Sequence, residues 1–78
     1  MKYIKIYDDN EHDGYVSIKN IHFFDVSYHL GEYEGDAHYI VRACEFGDKV
    51  DEGYQASPKI DDKYEAYAFM DSVVEKLV

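Results

Sequence analysis

The chain has 78 residues, of which 46% are hydrophobic and 17% aromatic, and 17 acidic against 8 basic residues give it a formal net charge of −9 at pH 7. A chain of this length buries only about 60% of its unfolded surface, so we expect residues 1–78 to form a single domain with one modest core. The apolar content excludes an intrinsically disordered chain. The excess of acids disfavours direct binding to nucleic-acid phosphates or to anionic membranes.

The first part of the chain is typical of a β-hairpin. Ile4 and Ile6 alternate with more polar positions in residues 2–7, and Val16 and Ile18 share one face of the segment that follows. Between these two predicted strands lies the polar stretch DDNEHDG, whose closing glycine is typical of a hairpin loop.

The same polar stretch has some features of a calcium-binding EF-hand loop that would begin at Asp9. The twelfth position of that loop would be Asn20, where calcium needs a bidentate glutamate. The flanking segments are predicted strands rather than helices. We therefore expect a hairpin loop and not a calcium site.

Two longer strands follow the hairpin. Residues 21–29 and 37–46 alternate between two faces, and the second segment has apolar residues on both faces, as a central strand does. If the two strands pair about the turn GEYEGD, Tyr28 lies near Tyr39. A short fifth strand, GYQAS, is predicted to end at Pro58, which cannot donate a hydrogen bond to a ladder.

The last segment changes to a helical period, which predicts an amphipathic helix over roughly residues 62–77. Its apolar face consists of Ala66, Met70, Val73 and Leu77. Asp61 or Asp62 can cap its start, and Lys76 lies favourably at the negative end of the helix dipole. The predicted fold class is α+β: a four- to five-stranded antiparallel β-meander with one C-terminal amphipathic helix packed on one face.

Acidic residues crowd nearly every predicted turn. Alternate loops of a meander gather at one end of the sheet, so we expect the first and third loops to form one negative rim, with tyrosines beside it as rigid contact residues. The residues predicted to bind a partner there are Asp8, Asp9, Glu11, Asp13, Glu32, Tyr33, Glu34, Asp36, Tyr7 and Tyr15. The alternative is that the acids serve solubility and the tyrosines serve as strand formers.

The histidines and the cysteine offer other chemical interpretations. Pairing about the GEYEGD turn would place His29 near His38, and with Glu32 or Asp36 this pair could hold zinc. No spacing in the chain matches a structural zinc signature, and Cys44 lies in the predicted central strand, where cysteine is usually inert packing. We therefore expect no metal, no cofactor and no enzymatic activity.

The sequence also bears on the cellular compartment. A single cysteine excludes an internal disulfide framework. The first residues run directly into a strand pattern rather than a secretory leader, and the apolar runs are shorter than the roughly 20 residues that cross a bilayer. We therefore expect a cytoplasmic protein.

In its acidic turns DDNEHDG, GEYEGD and GDKVDEG and its interspersed tyrosines, the chain resembles the small acidic inhibitors encoded by phages and mobile elements. These include anti-CRISPR proteins, restriction-evasion DNA mimics and uracil-glycosylase inhibitors. The resemblance implies a protein of the host-cell cytoplasm that inhibits a nucleic-acid-processing effector, with a CRISPR effector complex as the first candidate. Inhibition would come from occupying the effector's basic nucleic-acid-binding surface.

A structural or assembly module is the alternative function. One helix cannot cover both faces of a sheet, so the second face is expected to be solvated or covered by a partner. A homodimer would bury that uncovered face through Phe23, Ile40 and their neighbours.

Overall fold

The computed structural model describes residues 2–7, 14–31, 33 and 35–77. Within these residues the elements are five β-strands and one α-helix: β1 (Tyr3–Ile6), β2 (Gly14–Ser17), β3 (Phe23–His29), β4 (His38–Cys44), β5 (Tyr54–Gln55) and α1 (Lys63–Leu77). Two 3-10 turns, Ile18–Asn20 and Val50–Glu52, lie between strands. The predicted α+β class, with antiparallel strands and a single C-terminal helix, is confirmed.

The strands divide between two antiparallel sheets instead of forming one continuous meander. One sheet contains β1 and β2, and the other has the order β3–β4–β5. The 3-10 turn Ile18–Asn20, whose start is capped by the Ser17 hydroxyl accepting from Lys19 N at 3.4 Å, carries the chain from the first sheet to the second. The sheets meet where Tyr7 N donates to Gln55 O at 2.8 Å.

The register between β3 and β4 agrees with the prediction. Tyr28 pairs with Tyr39 and His29 pairs with His38. The two tyrosine ring centroids lie 4.9 Å apart, and the two imidazoles stack with their centroids 5.2 Å apart. The sequence placed this turn correctly because the strand patterns on its two sides are symmetric about it.

After β5 the chain continues along β4 through a bulge. Gln55 pairs with Arg42, and Ile60 pairs with Tyr39. Five residue steps from Gln55 to Ile60 therefore lie opposite only three steps along β4. Pro58 lies in this bulge, where its missing N–H costs no ladder bond. The hydroxyl of Ser57 accepts from Val41 N at 2.9 Å and so replaces a backbone acceptor.

The core lies between α1 and the inner faces of both sheets. Its buried members are Ile4, Val41, Ala43 and Ala56, and Phe24, Val26, Phe69, Met70, Val73 and Leu77 are among the partly buried residues packed against them. Helix α1 contacts β3 and β4, as predicted, and buries Ala66 completely. Its start is capped by Asp62, whose Oδ2 accepts from Glu65 N at 3.0 Å.

The other face of β3–β4 is crossed by the 3-10 turn Val50–Glu52, which contacts both strands. Cys44 is completely buried on this face and donates to Val50 O at 3.9 Å. A Cβ at Gly53 would lie only 2.5 Å from Cys44 Sγ, so this close approach requires glycine. Ile40, which we expected on an uncovered face, is only 4% exposed.

Candidate acidic interface

Most of the predicted partner-binding acids lie outside the described residues. These are Asp8, Asp9, Glu11, Asp13, Glu32 and Glu34. Their convergence into one rim therefore stays a prediction. The described members of the predicted set are Tyr7, Tyr15, Tyr33 and Asp36, and the structure gives each of them a definite position.

The turn between β3 and β4 presents Tyr33 to solvent. Asp36 N donates to Tyr33 O at 3.0 Å, and Tyr33 N donates to Asp36 Oδ2 at 3.3 Å. Gly31 and Gly35 adopt positive φ angles of 73° and 92°, which glycine tolerates without strain. The Tyr33 side chain is 73% exposed. The aspartate thus holds the turn while the tyrosine side chain is left accessible to a partner.

The start of α1 lies beside this turn. Ile60 and Tyr39 exchange two backbone hydrogen bonds of 2.7 and 3.0 Å, which fix the chain just before the helix against the first residues of β4. A polar cleft of about 490 Å³ results, with Asp36 and Asp61 among the residues that line it. The sequence indicated acids at both places but contained no sign that they adjoin.

We call this region the acidic end and define it by Tyr33, Asp36, Asp61, Asp62, Tyr64 and Glu65. All six residues are exposed, and Tyr64 is 80% exposed. The acidic end therefore contains four exposed carboxylates and two accessible aromatic rings. Lys59 and Lys63 are the bases of this region, so its charge is negative but partly compensated.

Strand β1 runs toward the acidic end. Lys2 Nζ donates to Leu77 O at 2.7 Å, and the Tyr7 ring lies 6.5 Å from the Phe69 ring, so β1 is antiparallel to α1. Its last residue therefore faces the end of the molecule at which the helix begins.

The other two predicted tyrosines have different environments. Tyr7 is half-buried, packs edge-on against Phe69 and lies 4.8 Å beneath Lys5 Nζ, so much of its surface is used inside the fold. Tyr15 lies opposite Lys5 in the first sheet and is 73% exposed. Of these two, Tyr15 offers the more accessible contact surface.

The acids of the turns also have a local role. Asp36, Asp48 and Glu52 each accept the N–H of the residue three positions earlier, at 3.3, 2.9 and 3.2 Å, and each donates its own N–H back to that residue's carbonyl. This repeated arrangement explains why acids occur in these turns. Since a carboxylate has about four acceptor positions, one such bond leaves capacity for a partner.

A polar network occupies the sheet face opposite α1. Arg42 donates from Nε to Ser27 Oγ at 3.1 Å, and its other nitrogens lie 3.1 Å from His29 Nε2 and 3.3 Å from Gly53 O. Ser27 Oγ lies 2.9 Å from the same histidine nitrogen. Because guanidinium only donates, His29 Nε2 accepts, and the imidazole is neutral with its proton on Nδ1.

The environment of His29 agrees with the neutral form. Burial lowers the pKa of His29, and the nearby positive charge of Arg42 lowers it further. Its Nε2 already interacts with Arg42 and Ser27, which disfavours the zinc ligation that the sequence allowed. Among residues 2–7, 14–31, 33 and 35–77, no group of three or more His, Cys, Asp or Glu side chains could hold a metal ion.

Cys44 is a packing residue, as its predicted position in the central strand suggested. Its side chain is fully buried, and burial raises the pKa of the thiol, with Asp48 and Asp25 adding to the effect. A raised pKa disfavours the thiolate, which is the reactive form of cysteine.

No protein-family model, curated protein or solved structure matches this chain. Across the part of the chain that the structure describes, no helix has the length and apolar character needed to cross a membrane.

Proposed function

We propose that the protein is a small acidic inhibitor that binds a nucleic-acid-processing effector through its acidic end. It would occupy the basic surface on which the effector holds nucleic acid, and a CRISPR effector complex is the first candidate target. The observation that carries the proposal is the Tyr39–Ile60 pairing, because it joins the Tyr33–Asp36 turn and the acidic start of α1 into one exposed surface.

The chemistry of the acidic end suits a surface that evolved for nucleic acid. A protein that binds single strands combines a positively charged groove for the backbone with contacts to the flat faces of bases. Carboxylates at Asp36, Asp61 and Glu65 offer the negative charge of phosphates. The exposed rings of Tyr33 and Tyr64 offer flat apolar faces. This combination supports mimicry of a nucleic acid over a purely hydrophobic interface.

The net charge of the whole chain supports the same function. A charge of −9 on 78 residues attracts a basic partner over a distance and raises the association rate. Surface attraction is screened over about 8 Å at physiological ionic strength, so the complex should weaken as salt rises. Self-association has less support, because Ile40 is buried on the face that a homodimer was expected to use.

The experiment is a pull-down from cells that carry a CRISPR system, at low and high salt, with the captured proteins identified. The test variant is Asp61→Lys with Glu65→Lys, which leaves the Asp62 cap intact. The control is Asp71→Lys with Glu75→Lys, which makes the same change in charge on exposed positions farther along the same helix.

We expect the wild type and the control to capture one effector at low salt and the test variant to lose it. Equal loss in both variants would show that net charge alone governs binding and would remove the acidic end as the site. If both variants still capture the effector at low salt and lose it at high salt, a different surface of the protein makes the contact. Recovery of no nucleic-acid-processing protein by the wild type would overturn the proposed function.

A further inference from the structure

A second concave surface lies between β1 and the C-terminal half of α1. This apolar groove has a volume of about 260 Å³ and is lined by Ile4, Tyr7, Ala56, Phe69, Val73 and Leu77, together with Tyr3 and two lysines. Ile4 and Ala56 are buried, whereas Tyr7, Phe69, Val73 and Leu77 are each half-buried. The groove is therefore an indentation in the core whose walls are partly open to water.

The charged residues that line the groove are lysines, in contrast to the acidic balance of the whole chain. Lys5 and Lys76 line it, and Lys2 reaches its end, where Nζ donates to Leu77 O at 2.7 Å. The described residues that line it include no Asp or Glu. In a chain with 17 acids and 8 bases, three of the bases thus gather around one apolar surface.

We propose that this groove binds a small anionic amphiphile, namely a free carboxylic acid with a single apolar chain or ring. The apolar body would lie against Phe69 and Val73, and the carboxylate would lie near Lys76. Ligand pockets are usually about 300 to 1,000 Å³ in volume, and because this groove is smaller, at about 260 Å³, it has room only for a compact ligand and not for a nucleotide or a larger cofactor. The proposal does not depend on the acidic end.

The groove differs in two respects from an ordinary gap between a helix and a strand. Its wall contains an edge-to-face aromatic pair, because the Tyr7 and Phe69 rings meet at 71° with their centroids 6.5 Å apart. Its lysines also contact their surroundings, with Lys5 Nζ 4.8 Å from the centre of the Tyr7 ring. A carboxylate placed near Lys76 would meet positive charge next to apolar surface, which a neutral or cationic amphiphile could not use equally well.

The test is a titration of the ¹⁵N-labelled protein with sodium octanoate, followed by amide chemical shifts. Octyltrimethylammonium chloride, which has the same chain and the opposite charge, is titrated in parallel. We expect saturable shifts at Ile4, Ala56 and Val73 with octanoate, and clearly weaker binding of the cation. Absence of saturable shifts at these residues, or equal binding of both amphiphiles, would overturn the proposal.

Two variants with the same charge change locate the anion. Lys76→Glu removes a lysine of the groove, and Lys63→Glu changes an exposed lysine at the other end of the same helix. We expect Lys76→Glu to weaken octanoate binding about two- to fivefold, as for loss of one exposed ion pair, and Lys63→Glu to leave it near the wild-type value. An equal effect of both variants would contradict a carboxylate near Lys76. Dispersed amide spectra establish that each variant is folded.

Discussion

The hydroxyl of Ser57 should contribute substantially to the free energy of unfolding, although serine is a poor core residue. Ser57 and Val41 are both completely buried, and Ser57 Oγ accepts from Val41 N at 2.9 Å while donating to Pro58 O at 2.9 Å. Ser57→Ala leaves the Val41 N–H buried without an acceptor. Pro58 is exposed, so its carbonyl can regain a bond from water.

The expected cost of Ser57→Ala follows from that single orphaned donor. A buried unsatisfied polar group costs about 1–3 kcal/mol. For a domain of this size each kcal/mol shifts Tm by roughly 4–8 °C, so a cost near 2 kcal/mol lowers Tm by about 8–16 °C. The same bulge positions Ile60, and therefore the start of α1. The loss should also weaken the connection between the two halves of the acidic end.

The assay is urea and thermal unfolding of the wild type, Ser57→Ala and a control, Ser72→Ala, followed by circular dichroism. Ser72 is exposed in α1, where alanine favours the helix, so its substitution should be neutral or slightly stabilising. If Ser57→Ala unfolds within about 0.5 kcal/mol of the wild type, the usual effect of a surface substitution, the hydroxyl does not replace a backbone acceptor. The account of the bulge would then be wrong.

Three further changes test other contacts. Because the pKa of His29 is lowered on folding, its contribution to stability is complete above pH 6.5 and is lost as pH falls, and His29→Gln should flatten the pH dependence of urea unfolding below pH 6.5. Gly53→Ala should destabilise the fold by about 1–3 kcal/mol in thermal unfolding, because a Cβ there would lie 2.5 Å from Cys44 Sγ. Asp62→Ala should cost about 1 kcal/mol in urea unfolding through loss of the N-cap of α1.

Each of these changes has a matched control in the chain. His22→Gln changes an exposed histidine, and an equal flattening in both variants would contradict the role given to His29. A Cβ at Gly14 would meet no described atom within 4 Å, so Gly14→Ala should be mild. Asp61→Ala lies next to the cap without forming it, and an equal loss there would contradict capping by Asp62.

Local patterns predicted the parts of the fold that depend on nearby residues. The three- and four-residue spacing of apolar side chains predicted α1, and Asp62 was among the two predicted caps. The pairing of His29 with His38 followed from the symmetry of the strand patterns about one turn. In each case the interacting residues are close in sequence, so the local sequence pattern is enough to predict which residues pair.

The parts that the sequence did not predict depend on distant contacts. Ile18 and Ile21 are three residues apart and both pack on the core, a spacing that suits the 3-10 turn after β2 better than a strand. The alternation of Val16 and Ile18 predicts a strand instead, and this prediction is wrong at Ile18, which begins the 3-10 turn. The packing of the Val50–Glu52 turn over Cys44 had no comparable signal in the sequence. It depends on a close approach between residue 53 and Cys44 Sγ that only glycine allows.

The acidic end was also predictable only where its residues are close in sequence. Tyr33 and Asp36 belong to one turn and were identified from its composition, whereas Asp61 joined them only through the pairing of Ile60 with Tyr39. An isolated apolar residue between charged neighbours, such as Ile60, is a weak signal of such a bridge. Long-range pairing of this kind cannot be read from a single sequence by periodicity.

The local role of the acids sharpens the case for a partner. Hydrogen bonds to backbone N–H groups account for Asp36, Asp48, Glu52 and Asp62, and those acids would be useful in any protein with these turns. The side chains of the exposed acids Asp61 and Glu65 accept none of those four bonds. A net charge of −9 makes the compact chain repel itself, whereas an acid in the first turn of a helix, such as Glu65, also interacts favourably with the helix dipole. The side-chain oxygens of Asp61 and Glu65 are therefore left available for the basic partner proposed above.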